Sequence, residues 1–106
     1  MSTLSRKEQL MQMLETEPND VFLNYALAME FMSVSNFEAG KLQLEKTLGL
    51  NETYLPCFYQ LGQLSEKLAS FDEAIAYYKK GLEVAKIQNN TKAMGEINEA
   101  LWMLED

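Results

Sequence analysis

The chain has 106 residues, 47% of them apolar and 24% charged, which is the ordinary balance of one globular domain with a single core. Its formal net charge of −7 excludes the basic stripe that nucleic-acid binding needs and disfavours binding to an anionic membrane surface. Because the chain has no histidine and one cysteine, Cys57, we expect no metal site, no cofactor and no intramolecular disulfide, and we interpret Cys57 as a small buried apolar residue.

The apolar pattern is helical from end to end and predicts an all-α fold of about six helices. The predicted helices span residues 4–16, 20–33, 36–48, 53–68, 71–88 and 91–104. Only a few residues connect them, so consecutive helices should lie antiparallel as neighbours.

Capping boxes of the form Ser-x-x-Glu mark three of the predicted helix starts. In this motif the serine hydroxyl accepts a hydrogen bond from a free amide of the first turn, and the glutamate accepts one from the amide of the serine. The three boxes pair Ser5 with Glu8, Ser35 with Glu38, and Ser70 with Glu73.

Turn residues mark the other boundaries. Pro18-Asn19-Asp20 should end the first helix and cap the second. Residues 50–53 should separate the third helix from the fourth, where Pro56 is tolerated in the first turn. Asn89-Asn90-Thr91 should end the fifth helix and cap the sixth.

The sequence also repeats itself when it is shifted by 34 residues. The shift aligns Tyr25 with Tyr59, Leu27 with Leu61, Ala28 with Gly62, Phe37 with Phe71, Lys46 with Lys80, and Leu48 with Leu82. In each unit a large residue precedes a small one on the first helix, which lets the second helix approach closely. A phenylalanine then follows the turn and fills the end of the helical hairpin.

At these residues the sequence resembles the tetratricopeptide repeat (TPR) family. The second unit matches at Phe58-x₂-Leu61-Gly62, Phe71, Ala74-x₃-Tyr78 and Leu82, and the first at Asn24-x₂-Leu27-Ala28-x₂-Phe31, Phe37, Gly40-x₃-Leu44 and Leu48. The sequence departs from the family pattern at four positions. Asn24 stands where an aromatic residue is usual, and Ser65 stands where a tyrosine is usual. Glu52 and Lys86 stand where each repeat usually ends in proline. A helical bundle without repeats is the alternative.

The resemblance implies a single domain over residues 1–106, with antiparallel helix pairs stacked as a short right-handed superhelix. We divide it into an N-terminal helix (1–18), repeat 1 (19–52), repeat 2 (53–88) and a C-terminal capping helix (89–106). The apolar stripe of the last helix is Ile97, Ala100, Leu101 and Leu104. This stripe fits the repeat only if the preceding connection is about five residues longer.

In the family, the first helices of the repeats line a concave groove. Stepping around these helices away from the packing stripe selects eight candidate partner-binding residues: Phe22, Tyr25, Met29, Met32, Tyr59, Gln63, Glu66 and Trp102. Aromatic residues and methionine are enriched at interfaces, so we interpret this set as a groove for an apolar or amphipathic peptide. The alternative is that these residues belong to the core or are covered by the N-terminal helix.

The leading functional hypothesis is therefore a non-enzymatic protein–protein interaction module, and the alternative is a scaffold that forms homo-oligomers through the same surfaces. An enzyme is the weakest hypothesis, since only the abundant carboxylates support it. The family members that clamp acidic chaperone tails place cationic residues where this chain has Tyr25, Met29, Tyr59 and Gln63, so we exclude that partner class. No apolar run reaches the ~18–20 residues that span a bilayer, and the N-terminus MSTLSRKEQL is charged, so a cytoplasmic location is expected.

Overall fold

Six α-helices account for the fold in the computed structural model, which describes residues 3–105. They are α1 (Arg6–Thr16), α2 (Val21–Ser33), α3 (Phe37–Leu50), α4 (Leu55–Lys67), α5 (Phe71–Ile87) and α6 (Thr91–Glu105), and no strand occurs among the described residues. The predicted all-α fold is confirmed, and each predicted helix end lies within two residues of the observed one. The equivalent helices α2 and α4 start 34 residues apart, as do α3 and α5.

The chain divides into two compact units, Met1–Glu52 and Thr53–Asp106, at the boundary that separates the two predicted repeats. In the first unit α2 packs against both α1 and α3. In the second unit α5 packs against both α4 and α6.

The capping box at the start of α1 is present as predicted. The Ser5 hydroxyl accepts a hydrogen bond from the Glu8 amide at 3.1 Å, and the Glu8 carboxylate accepts one from the Ser5 amide at 3.2 Å. These hydrogen bonds lower the pKa of Glu8. The stabilisation of α1 by this carboxylate is therefore present above the usual pKa of glutamate and is lost as the pH falls through the lowered value.

The other two predicted capping boxes do not form. Ser35 has a left-handed conformation with φ of 59°, so it ends α2, and Asn36 becomes the N-cap of α3 without a side-chain capping bond. Ser70 is the N-cap of α5, but its side chain makes no capping hydrogen bond.

Three helix ends share one termination pattern. The helices α2, α4 and α5 are each followed by a left-handed residue, namely Ser35, Ala69 and Asn89. The amide of the next residue then donates to a carbonyl five residues back, with distances of 2.9 Å for Asn36 to Phe31, 2.8 Å for Ser70 to Ser65, and 2.9 Å for Asn90 to Ala85. These bonds satisfy carbonyls that the end of a helix otherwise leaves without donors.

The turns predicted from proline and asparagine are confirmed. Asp20 caps α2 by accepting a hydrogen bond from the Leu23 amide at 2.8 Å, and Asn90 accepts one from the Ala93 amide at 3.0 Å. Pro56 lies in the first turn of α4, where its missing amide hydrogen costs nothing.

Asn24, which departs from the family pattern, is a fully buried polar residue that joins three segments of the first unit. Its Nδ2 donates to the carbonyl oxygens of Pro18 at 3.1 Å and Asp20 at 2.8 Å, and its Oδ1 accepts a hydrogen bond from Gln43 at 2.7 Å. Asn24 therefore connects the α1–α2 turn and α2 to α3.

We expect Asn24→Leu to lower the free energy of unfolding by about 1–3 kcal/mol, because it leaves buried polar groups without their partner. Chemical denaturation measures this difference, and Asn98→Leu at an exposed position of α6 is the matched control. Equal denaturation midpoints for Asn24→Leu and the wild type would contradict the role assigned to this network.

Close helix packing in the second unit depends on two glycines. A Cβ added at Gly62 on α4 would overlap the ring of Tyr78 on α5, and a Cβ added at Gly81 on α5 would lie 2.8 Å from Phe58 Cβ and 3.3 Å from Ile97 Cδ1. Of the predicted apolar stripe of α6, Ile97 and Leu101 are buried, whereas Ala100 and Leu104 are half-buried. The extra length before α6 lies in α5, which has 17 residues against 14 in α3, and not in the connection as expected.

Candidate functional site

A cleft of about 350 Å³ opens in the second unit between α4 and α6. Its lining consists of Tyr59, Gln63 and Glu66 from α4 and Glu96, Glu99, Ala100 and Met103 from α6. Because an α-helix turns once in 3.6 residues, each of these sets forms one stripe along its helix. The cleft is apolar at Tyr59, Ala100 and Met103 and acidic at the three glutamates.

The α4 side of the cleft is held in place by Tyr78, which is fully buried behind it. The Tyr78 hydroxyl donates to the Glu66 carboxylate at 2.5 Å and accepts a hydrogen bond from Gln63 Nε2 at 3.0 Å. The Tyr59 ring packs edge-on against the Tyr78 ring, with centroids 6.0 Å apart and planes inclined by 69°. One buried side chain thus fixes all three α4 residues of the cleft.

Burial raises the pKa of Tyr78, and the hydrogen bond to Glu66 raises it further. The phenol therefore stays protonated at neutral pH and remains a donor to Glu66. Because hydrogen bonds to Tyr78 already order the side chains of Glu66 and Gln63, binding at these residues carries a small entropic cost.

Three of the predicted groove residues, Tyr59, Gln63 and Glu66, are brought together in this cleft. Trp102 does not line it, but its side chain is 69% exposed and follows Glu99 by three residues, so both lie on one side of α6. The prediction that Trp102 lies outside the helix-packing core is confirmed.

The α6 side of the cleft was not among the residues predicted from the sequence. Glu96, Glu99, Ala100 and Met103 are spaced along one face of a helix, which was an available signal. A strict 34-residue shift would place Glu96 and Glu99 on the packing face of α6, from which their charge excludes them. The same charge is acceptable on a face that lines an open cleft.

The remaining candidates lie on α2 in the first unit. Phe22 is 62% exposed, whereas Tyr25, Met29 and Met32 are half-buried. Met32 packs closely against Gly40 on α3, because a Cβ added at Gly40 would lie 3.0 Å from Met32 Cγ. Met32 therefore contributes to the contact between α2 and α3.

The N-terminal helix α1 lies against α2, as the alternative interpretation of the groove requires. Leu10 and Leu14 pack with Leu23 and Ala26. Arg6 forms an ion pair with Glu30 at 3.5 Å, and the Lys7 ammonium lies 5.9 Å from the centre of the Phe31 ring. These contacts are to residues of α2 other than the four groove candidates.

Cys57 is fully buried in α4, as expected of a small apolar residue. Burial raises the pKa of its thiol to about 12, so the nucleophilic thiolate is not populated at neutral pH. Within residues 3–105 no cluster of three or more histidine, cysteine or acidic side chains has the arrangement of a metal site. No helix in the same range is both long and apolar enough to cross a membrane.

Comparison with known proteins finds the same architecture in solved structures. Scans against family profiles and against curated proteins give no match. A tetratricopeptide repeat domain protein from Salinibacter ruber is similar both in its solution structure (33% identity, TM-score 0.78, covering 83% of this chain and 89% of that one) and in its crystal structure (32%, 0.76, 81% and 96%). A protein from Bordetella parapertussis shares the fold at 20% identity, with a TM-score of 0.87 over 97% of this chain and 90% of its own.

Proposed function

The chain belongs to the tetratricopeptide repeat family, and on this premise we propose that it is a non-enzymatic protein–protein interaction module that binds a peptide segment in the cleft between α4 and α6. The observation that carries the proposal is the cleft itself. Concave surfaces with apolar contacts and a few fixed polar groups are the usual form of a binding site. Here Tyr59, Ala100 and Met103 supply the apolar contacts, and Gln63 and Glu66 supply fixed polar groups.

Two large exposed apolar residues, Met103 in the lining of the cleft and Trp102 beside it, support the same proposal. Met103 and Trp102 are each 69% exposed on α6. Large exposed apolar residues that cluster beside a cleft are typical of interaction surfaces. Glu96 and Glu99 are also exposed to solvent, whereas an acid–base pair of a hydrolytic enzyme needs a more enclosed position.

The exposed and half-buried residues of α2 are a second proposed contact surface, on the first unit. Phe22 is the most exposed of them, and Tyr25 and Met29 are partly accessible. Methionine and aromatic side chains adapt to different partners at low cost in conformational entropy.

The proposal predicts that Trp102 emits as an exposed indole in the free protein and shifts to shorter wavelength when a peptide binds. It also predicts that the pair Trp102→Ala and Met103→Ala weakens binding by about 2 kcal/mol, which is about thirtyfold in Kd. The peptides are selected from a displayed random library against the immobilised domain, then synthesised and measured by calorimetry. Because both side chains are exposed, the thermal midpoint of the variant should stay close to that of the wild type.

The matched control replaces two exposed apolar residues that do not line the cleft, Leu42→Ala on α3 and Ile87→Ala on α5. If the peptides bind the wild type, the Trp102/Met103 variant and the Leu42/Ile87 control with equal Kd, the peptide-binding site lies outside the cleft. Sedimentation equilibrium of the free chain tests the alternative role as a homo-oligomeric scaffold, which a stable dimer that excludes these peptides would favour.

A further inference from the structure

We propose that the segment bound in the cleft is cationic, with an apolar side chain flanked by lysine or arginine residues; this inference rests on the proposed function. The apolar residue of the ligand would lie on Tyr59, Ala100 and Met103. Its cationic neighbours would lie at the carboxylates of Glu66, Glu96 and Glu99.

The charge of the lining is all of one sign. Three of the seven lining residues are glutamates, and no lysine or arginine of the described residues belongs to the lining. Two lysines of α5 form exposed ion pairs with glutamates outside the lining: Lys79 lies 3.8 Å from Glu105, and Lys80 lies 3.9 Å from Glu83. The cleft therefore offers a cation three carboxylates and no competing internal partner in its lining.

Glu66 places one of the three negative charges of the cleft at a fixed position. Its carboxylate accepts the hydrogen bond of the buried Tyr78 hydroxyl, so it does not swing away into solvent. The Tyr59 ring lines the same cleft, and an aromatic face attracts the cation of lysine or arginine. A cationic side chain thus gains from a fixed carboxylate and an aromatic ring in a partly enclosed site, where charges interact more strongly than on an open surface.

Charge complementarity also decides between the occupants. An acidic peptide would bring like charges to the cleft, and like charges across an interface cost binding energy. A second copy of this chain would bring a formal net charge of −7. A basic segment is the occupant that the lining attracts.

The test compares three sets of short fluorescent peptides that differ only in the residues flanking a central leucine, methionine or phenylalanine. The flanking residues are lysine, glutamine or glutamate, and fluorescence polarisation gives Kd at low and at physiological salt. We expect the lysine set to bind at least about tenfold more tightly than the glutamine set, with a ratio that falls as salt rises. We expect the glutamate set to bind most weakly.

Two variants with the same net charge separate the cleft from the acidity of the whole chain. Glu96→Gln with Glu99→Gln removes charge from the cleft, whereas Glu15→Gln with Glu83→Gln removes it from exposed positions outside the lining. The preference for lysine should fall severalfold in the cleft variant and stay unchanged in the control. All four glutamates are exposed, so we expect both variants to fold.

Equal loss of the preference in both variants would overturn the inference, because it would assign the attraction to overall charge. Equal binding of the lysine and glutamine sets would overturn the inference and leave the proposed function standing. If library-selected peptides bind but none of the three designed sets does, the inference is likewise overturned and the proposed function stands. Failure of every peptide, selected or designed, would overturn the proposed function as well. A dimer of the free chain that strengthens in the cleft variant would identify a second copy as the occupant.

Discussion

Replacing Gly62 with leucine is expected to lower the free energy of unfolding by about 2–3 kcal/mol, in the upper range for an overpacked core. A Cβ at this position overlaps three atoms of the Tyr78 ring. The ring cannot move aside easily, because it is fully buried and its hydroxyl is hydrogen-bonded to Glu66. Either α4 and α5 separate or the network behind the cleft breaks.

Chemical denaturation of Gly62→Leu beside Gly49→Leu checks this prediction. Gly49 also lies within a helix, but beyond its chain neighbours and the backbone of its own helix, no atom lies within 4 Å of a Cβ added there. Leucine at that position should leave stability unchanged or raise it by up to about 1 kcal/mol, since glycine is a poor helix former. In the first unit, Ala28→Leu at a fully buried position should resemble Gly62→Leu. If Gly62→Leu and the wild type have the same denaturation midpoint, α4 and α5 are not in close contact at this position.

Removing residues 91–106 is expected to leave a chain that melts at a much lower temperature or associates. The deletion takes away Ile97 and Leu101, the buried residues of α6, and uncovers the surface around Phe58 and Gly81 that Ile97 covers. Burial of one large aliphatic side chain contributes about 1.5–3 kcal/mol, so the loss is roughly 3–6 kcal/mol. Neighbouring contacts supply much of the stability of a repeat protein.

Thermal melting and sedimentation velocity measure the effect of the deletion. The single substitution Ile97→Ala, expected to cost about 2–5 kcal/mol, tests the same contact in the full-length chain. A truncated chain that stays monomeric with an unchanged melting temperature would show that α6 adds nothing to the core of the second unit.

The helices, the 34-residue offset and the packing stripes were predictable because they depend on local periodicity. The position of Ser35 was not, since a Ser-x-x-Glu pattern reads the same whether the serine is an N-cap or the left-handed residue that ends the preceding helix. Asn24 was read as a departure from the family. Its role depends on Gln43, which lies 19 residues away in sequence and meets it only in the folded unit.

The candidate site was predictable on one helix and missed on the other. Tyr59, Gln63 and Glu66 follow from the position of α4 in the repeat. The α6 side depends on how far α5 extends before the chain turns back, and the longer α5 shifts α6 out of the strict repeat register. Three residues of extra helix rotate the next element by most of a turn, and a sequence pattern does not fix that rotation.

The hydrogen bonds of Tyr78 restrict which substitutions the α4 side of the cleft can tolerate. Gln63 and Glu66 line the cleft, yet they are also the residues that satisfy a hydroxyl in the core. A residue at position 66 that cannot accept a hydrogen bond would leave the hydroxyl hydrogen of the buried Tyr78 without an acceptor, with a cost in stability. Substitutions on the α6 side, where Glu96, Glu99 and Met103 are exposed, leave this hydrogen bond intact. Folding therefore constrains the α4 wall of the cleft through Tyr78, whereas the exposed α6 wall carries no such constraint.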